Sequence, residues 1–403
     1  MAPLSHDPRR RRGAFVTGTV ASFRLPRLLV GAGARERIGD AARELGVTRP
    51  LIVTDAFHAG NGVADEIAAR LTREGLHPVV FADTVPDPSV SSVMAGLAAA
   101  IAAGADAVVG VGGGSPIDTA KAIALLAVSG GTMRQYKAPV TTVGGALPII
   151  AVPTTAGSGS EATQFTVITD EETAEKMLCA GPAFLPRVAI VDVELTLTMP
   201  PRLTADTGID ALTHAVEAYV SRKATPLSDT FALRAMSLVG ASLEAAYADG
   251  GDTRARQDMM LASLFAGTAF SNASVALVHG MSRPIGARFG IAHGLSNALL
   301  FPAVTAFSLP GAPGRYAECA RALGIVASDV SEATAGTALV DELERLNLAL
   351  GVPSLSALGV ARDTWEEAIP TMAHQALASG SPAHNPIEPT AQQIEELYRG
   401  VYR

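Results

Sequence analysis

Short apolar runs rich in β-branched residues alternate with alanine-rich stretches over the first half of the chain. The apolar runs cover residues 51–54, 78–81, 107–111, 148–152 and 188–191, and residues 62–74 and 90–103 have the composition of intervening helices. Nearly continuous apolar runs suit parallel strands buried on both faces. Their alternation with helices is typical of βαβ units, so the pattern predicts an α/β domain over residues 27–200.

The pattern changes after the double proline at positions 200 and 201. Strand-like runs disappear, and alanine- and leucine-rich segments predict helices over residues 210–220, 228–245, 253–270, 333–350 and 390–402. Proline is tolerated at the start of a helix but interrupts a continuing one. We therefore place a domain boundary there and predict an all-helical domain over residues 201–403.

Composition narrows the classes of function. Lys plus Arg number 31 and Asp plus Glu 39, so the net charge of −8 provides no basic field for nucleic acid. No window reaches the roughly 20 apolar residues of a membrane-spanning helix. The two cysteines, Cys179 and Cys319, lack C-x-x-C spacing and are typical of reduced core thiols, which favours a cytoplasmic protein.

The first residues are strongly basic. The run Arg9 to Arg12 could be taken for a twin-arginine export signal, but Arg24 and Pro26 interrupt the apolar run that should follow, and no small-residue cleavage pattern is present. We interpret residues 1–26 as a solvated, flexible tail, or as the result of a start codon placed too early.

A carboxylate and an imidazole four residues apart are the first candidate chemistry. Asp210 and His214 would lie on one face of a helix, where both can reach a single ion. His279 and His293 follow in an apolar segment, and Pro284 between them predicts separate helices. One oxygen and three nitrogens suit Fe²⁺ or Zn²⁺ rather than Ca²⁺ or Mg²⁺.

Helical spacing alone supports only the pair of Asp210 and His214 as metal ligands. A single histidine on an apolar face is more often a core residue than a ligand. The remaining histidines have no comparable partners in the sequence: they are His6, His58, His77, His374 and His384.

Two glycine- and hydroxyl-rich loops follow successive predicted strands. The first is residues 112–115, after which Pro116 marks the start of a helix, and the second is residues 153–161. Glycine lets a backbone approach a pyrophosphate, whose charge a helix N-terminus favours. One such loop alone would be a structural turn by default. Two at adjacent strand ends predict a nucleotide crevice.

Asp55 closes the predicted strand at residues 51–54. Its carboxylate could accept hydrogen bonds from the adenine-side ribose and would repel a 2′-phosphate, which favours NAD over NADP. A helix N-cap explains the same aspartate equally well.

Several motifs together resemble the iron-dependent (group III) alcohol dehydrogenases. They are residues 112–121, 153–161, 208–217, 279–286 and 293–297, and a late Asn385-Pro386 follows them in the family order. The resemblance covers nearly everything from residue 27 onward. It implies a Rossmann-like dinucleotide domain joined to an all-α domain, the dehydroquinate synthase-like architecture.

The resemblance also implies the site. NAD would contact the residues matching the family's cofactor positions: Asp55, Gly112, Gly113, Gly114, Ser115, Asp118, Thr154, Thr155, Ser158 and Leu195. Asp210, His214, His279 and His293 would hold iron, or zinc, in the cleft, and the substrate would be a small alcohol or aldehyde. The family is usually dimeric. Two alternatives are a zinc-dependent polyol dehydrogenase or lyase of the same fold, and a non-catalytic nucleotide-binding regulator.

Arg283 departs from the family pattern. Members that act on simple alcohols often carry a histidine four residues after the third metal ligand, and an arginine there cannot serve as a general base. Its fixed fork suits a carboxylate, sulfonate or phosphonate. We hypothesise an anionic group on the substrate. A structural salt bridge or a contact with the cofactor's pyrophosphate explains Arg283 at least as well.

Overall fold

A computed structural model describes residues 22–173 and 175–402. Most of the predicted basic tail, residues 1–21, lies outside the described residues. The strands, in chain order, are β1 (Arg27–Val30), β2 (Pro50–Asp55), β3 (Val79–Thr84), β4 (Ala107–Gly112), β5 (Ile149–Pro153), β6 (Phe165–Asp170), β7 (Glu175–Ala180) and β8 (Val188–Val191). Six of them form one parallel sheet in the order β1-β8-β5-β4-β2-β3, and β6 and β7 form a separate antiparallel hairpin.

The five predicted strands are all present, but the sequence pattern missed β1, β6 and β7. β1 is a four-residue edge strand whose two end residues are exposed, so it has no buried apolar run. In β6, buried positions alternate with half-buried ones because one face of the hairpin is covered less completely. Neither pattern resembles the continuous apolar runs of the central strands.

Among the described residues, five helices accompany the sheet, and nine follow it. The first group is α1 (Ile38–Glu44), α2 (Ala56–Gly60), α3 (Val63–Arg73), α4 (Val90–Ala103) and α5 (Gly114–Ser129). The second group is α6 (Pro201–Val220), α7 (Pro226–Ala248), α8 (Thr253–Ala273), α9 (Leu277–Phe289), α10 (His293–Ser308), α11 (Pro313–Ala322), α12 (Glu332–Ala349), α13 (Arg362–Ala378) and α14 (Ala391–Gly400).

The parallel sheet is buried on both faces. In β4, Val108 packs into a cluster with α4 and α5, while its neighbour Val109 packs on the opposite face with α1 and α3. Successive side chains of a strand point to opposite faces, and both valines are fully buried. This two-sided burial explains why the central strands read as unbroken apolar runs.

The helical half begins at the double proline. Pro200 is the N-cap of α6 and Pro201 its first residue, where proline's fixed φ fits and its missing N–H costs nothing. The helix therefore starts at Pro201 rather than at the predicted residue 210. The structure agrees with an α/β region followed by helices, whereas the division into two domains at residues 200 and 201 stays a prediction.

The residues that the structure describes contain neither a single helix able to span a membrane nor a disulfide bond. Within residues 22–173 and 175–402, no single helix is long and apolar enough to cross a membrane; α8 and α9 reach that composition only as a pair, bent by 106° at their junction. Cys179 and Cys319 are buried and unbridged, as predicted.

Two glycines bring the α/β region and the helices into backbone contact. Gly159, in the loop after β5, faces Gly267 in the middle of α8. A Cβ on Gly267 would lie 2.6 Å from the carbonyl oxygen of Gly159 and 2.8 Å from its Cα. Backbone atoms cannot move aside as a flexible side chain does, so both positions require the smallest residue.

We predict that Gly267→Ala lowers the free energy of unfolding by about 1–3 kcal/mol, because the added methyl forces the loop away from α8. Urea denaturation measures the change. Gly400→Ala is the matched control: Gly400 is also helical, a Cβ added there would meet nothing within 4 Å, and alanine should be neutral or stabilising. Equal effects of the two substitutions would contradict the prediction.

Candidate active site

Three helices bring the four predicted metal ligands together. Asp210 and His214 lie one turn apart on α6, His279 lies in the first turn of α9, and His293 is the first residue of α10. One donor atom from each lies within 4.8 Å of the others. One carboxylate and three imidazoles this close together could surround a single divalent metal.

The two later histidines lie on separate helices, as predicted, but not for the predicted reason. Pro284 lies inside α9 and does not end it. The helix ends instead at Gly290, whose φ of 66° is left-handed, a conformation that glycine adopts without strain. The chain then turns so that α10 begins at His293.

The centre is dry on three sides. The side chains of Asp210, His214 and His279 are 6% exposed or less, whereas that of His293 is 36% exposed and marks the open side. The ring of His214 stacks between Phe270, at 4.1 Å between centroids, and His279, at 4.3 Å. This packing fixes the ring plane before any ligand arrives.

The protonation states of His214 and Asp210 suit metal binding. Burial lowers the pKa of His214 to about 3, so its ring is neutral at physiological pH and its lone pair is available. Burial acts to raise the pKa of Asp210, but its interactions with His214, His293 and His279 outweigh it and hold that pKa well below its usual range. His214 Nδ1, 3.7 Å from Asp210 Oδ1, is a buried atom that has no hydrogen-bond partner among the described residues.

The predicted cofactor residues gather at the carboxyl ends of four adjacent strands. Asp55 ends β2, the glycine run ends β4, the hydroxyl-rich loop follows β5, and Leu195 follows β8 in a 3-10 helix, half-buried. The two loops touch: a Cβ on Gly113 would lie 3.3 Å from Thr155, and one on Gly114 would lie 3.1 Å from Ser158. Glycine therefore keeps open the narrow space that a pyrophosphate backbone contact needs.

The remaining loop residues have distinct places. Gly112 has a φ of 144° and lies against Pro116, and Ser115 is in the first turn of α5. The hydroxyl of Thr154 is buried and has no partner in the part of the chain that the structure describes. Asp118, one turn further, is held internally, because it accepts hydrogen bonds from Ser160 Oγ and, at 2.8 Å, from the amide of Val167. Its carboxylate ties the second loop and the hairpin to α5.

The nucleotide loops adjoin the metal centre. Gly157 lies so close to α6 that a Cβ would be 2.4 Å from Thr207 Cβ, and Thr207 lies one turn before Asp210. A second contact links the same regions. The ring of Phe165 in β6 stacks on that of Phe270 at 6.0 Å between centroids, and Phe270 also stacks on His214. A nicotinamide at this edge and a metal on α6 would share one cleft.

The comparisons with known proteins point the same way. Residues 26–193 match the family described as "Iron-containing alcohol dehydrogenase", and residues 204–402 match "Fe-containing alcohol dehydrogenase family, C-terminal". The chain belongs to the iron-containing alcohol dehydrogenase family. The family uses NAD and iron.

Three relatives of this iron-containing alcohol dehydrogenase family member illustrate the match. NAD-dependent methanol dehydrogenase of Bacillus methanolicus is 38% identical over 377 residues, which cover 93% of this chain and 98% of the relative. The structure of a 1,3-propanediol oxidoreductase has a TM-score of 0.91 at 35% identity, covering 95% and 100% of the two chains. Sulfoacetaldehyde reductase from Bifidobacterium kashiwanohense, solved with NAD⁺, has a TM-score of 0.84 at 30% identity, covering 95% and 99%.

The structure shows one of the two roles anticipated for Asp55, and its contact with a ribose stays a prediction. It is the N-cap of α2, where its Oδ1 accepts the amide of His58 at 2.9 Å. The same oxygen lies 2.8 Å from His58 Nδ1, so the expectation that His58 lacks a partner was wrong. The carboxylate remains 28% exposed at the strand end, where it can meet a ribose.

Sequence reasoning missed three polar residues of the site. Lys121 on α5 is fully buried and donates to Ser160 Oγ, Thr163 Oγ1 and the carbonyl of Phe165, which anchors the second loop. Asn297 donates to Asp210 Oδ1 at 2.7 Å, and Glu217 lies beside His279. Asn297 is four residues after His293 and Glu217 three after His214, so helical spacing from the ligands could have found both.

Arg283 lies one turn after His279 on α9 and is 8% exposed. Its guanidinium donates to Ser381 Oγ at 2.9 Å, and no salt bridge includes it among the residues that the structure describes. Burial lowers its pKa to about 10, which leaves it protonated near neutral pH. With Lys137 and Lys176 it lines a small cleft.

We predict that Asp55→Asn relaxes the preference for NAD over NADP without destabilising the fold. Asparagine caps a helix as well as aspartate does, so only the charge that would repel the 2′-phosphate is lost. The ratio of kcat/KM with NADP to that with NAD should rise about tenfold, or about 1.4 kcal/mol. An unchanged ratio at an unchanged melting temperature would show that Asp55 serves only as the cap.

Proposed function

We propose that this chain is a metal-dependent oxidoreductase that transfers hydride between NAD(H) and a small alcohol or aldehyde. The observation that carries the proposal is the close packing of Gly157 on Thr207, one turn from Asp210, which joins the cofactor loops to the four-residue centre. We propose Asp210, His214, His279 and His293 as ligands of Fe²⁺, with Zn²⁺ as the other candidate.

The protein itself positions the reactants and excludes water from the centre. A divalent ion held by these residues supplies Lewis acidity toward an alcohol or carbonyl oxygen. The buried walls around His214 keep the centre dry, which strengthens electrostatic interactions there. The half-open side at His293 is where a small substrate can enter. Three expectations remain predictions: NAD preference, which rests on Asp55, a cytoplasmic location, which rests on the reduced cysteines, and a homodimer, which rests on the family.

We further propose that the substrate carries an anionic group, which Arg283 binds. Its guanidinium is buried, and its neighbours within hydrogen-bond distance include a serine hydroxyl but no carboxylate among the described residues. Burial of the guanidinium is costly and the charge of Glu217 offsets part of that cost, so a carboxylate or sulfonate on a ligand would offset more of it. The named substrate of one relative, sulfoacetaldehyde, bears such a group.

The function is tested by following NADH absorbance with a panel of aldehydes, before and after chelation. We expect turnover to be lost on chelation and restored by Fe²⁺ or Zn²⁺. Absence of turnover under every metal condition, with NADH binding retained, would favour a non-catalytic nucleotide-binding protein. Turnover that survives complete removal of metal would exclude the proposed centre.

The anionic substrate is tested with Arg283→Ala. We expect kcat/KM for an aldehyde bearing a carboxylate or sulfonate to fall at least about tenfold more than kcat/KM for a neutral aldehyde of the same shape. Arg288→Ala is the control, since Arg288 lies on the same helix but is exposed. Equal losses for both aldehydes would refute recognition of the anion by Arg283.

A further inference from the structure

A buried carboxylate supports the metal centre from behind. We infer that Glu217 is a positioning residue that holds the ring of His279 with its Nε2 toward Asp210. The inference rests on the proposed function, because it concerns how the chain prepares a histidine to bind a metal.

Glu217 shares the ligand-bearing face of α6. It follows Asp210 by seven residues and His214 by three, spacings that place side chains on one side of a helix. Its Oε2 lies 2.6 Å from His279 Nδ1, and its Oε1 accepts the backbone N–H of Val278 at 2.6 Å. The side chains of Glu217 and His279 are 4% and 3% exposed, so water does not compete for these contacts.

The two contacts define the tautomer of His279. The amide of Val278 can only donate, so Oε1 of Glu217 is an acceptor. If Oε2 accepts as well, as in a carboxylate, Nδ1 of His279 carries the proton that it donates across the 2.6 Å contact. In neutral imidazole the remaining nitrogen, Nε2, then has a free lone pair.

The opposite edge of the ring agrees with this assignment. His279 Nε2 lies 3.5 Å from Asp210 Oδ1 and 3.2 Å from the side-chain nitrogen of Asn297. The shorter of these two contacts is with an amide NH₂ group, which is only a donor, and it favours an acceptor at Nε2. The nitrogen directed at the centre is thus the one able to bind a metal, and the nitrogen directed away is held by Glu217.

Glutamine at position 217 would break this arrangement while keeping its shape. A carboxamide has one acceptor oxygen, so its NH₂ group must face either the Val278 amide or His279 Nδ1. In the first case a buried N–H loses its partner. In the second, Nδ1 becomes an acceptor and the proton moves to Nε2, where it points into the centre. Partners of this kind change metal affinity by about 10–100-fold when they are removed.

The test is a titration of chelator-stripped protein with Co²⁺, which suits nitrogen and oxygen ligands and has a visible spectrum that reports its coordination. Wild type, Glu217→Gln and Ser221→Ala are compared. Ser221 is a control on the buried end of the same helical region, where its hydroxyl donates to the carbonyl of Ala273. Thermal melts of the metal-free proteins measure any structural loss separately.

We expect Glu217→Gln to bind Co²⁺ about 10–100-fold more weakly with an altered spectrum, and Ser221→Ala to bind like wild type. Unchanged affinity and spectrum in Glu217→Gln overturn the inference and leave the metal centre standing. Equal weakening in Ser221→Ala overturns it too, because the effect would then come from packing. Wild type that binds no Co²⁺ overturns the proposed metal centre and the inference with it.

A measurement on wild type covers the case in which Glu217→Gln does not fold. Histidine labelled with ¹⁵N in the Zn²⁺-loaded protein shows which ring nitrogen carries hydrogen, and comparison with His279→Gln assigns the signal. We expect His279 to be protonated at Nδ1. A proton on Nε2, with Nδ1 toward the metal, overturns the inference.

Discussion

The burial of one ionised carboxylate constrains the whole helical half. Asp210 is 4% exposed, and transferring a charge from water to such a place costs several kcal/mol unless partners compensate it. The partners come from three helices: His214 from α6 itself, His279 from α9, and His293 and Asn297 from α10. α6, α9 and α10 therefore meet at this point.

Much of this fold could be predicted because its signals are local or periodic. The central strands are buried on both faces, so their apolar runs are continuous, and α4 was predicted with its bounds at residues 90–103. The pairing of Asp210 with His214 follows from helical spacing alone. The convergence of His279 and His293 on that pair came from the family resemblance, since spacing cannot establish contacts between distant segments.

The missed features depend on contacts that sequence patterns do not record. The strands of the β6–β7 hairpin are only partly covered, so their apolar signal is diluted. The contact of His58 with Asp55 arises because a short helix follows β2. The first turn of that helix brings His58, three residues later in the chain, next to the capping carboxylate of Asp55. The end of α9 depends on Gly290 rather than Pro284, because a proline after the first turn can be accommodated within a helix whose surroundings hold it.

The facing glycines in the loop after β5 and in α8 have a consequence for how the sequence can vary. One narrow gap separates the two backbones, and it leaves no room for a side chain on either glycine. If a methyl at Gly267 pushes the loop away, a second methyl at Gly159 meets a gap that is already wider, although its φ of 59° still opposes it. The energetic effects of the two changes are then not additive. We therefore expect the residues at positions 159 and 267 to vary together rather than independently.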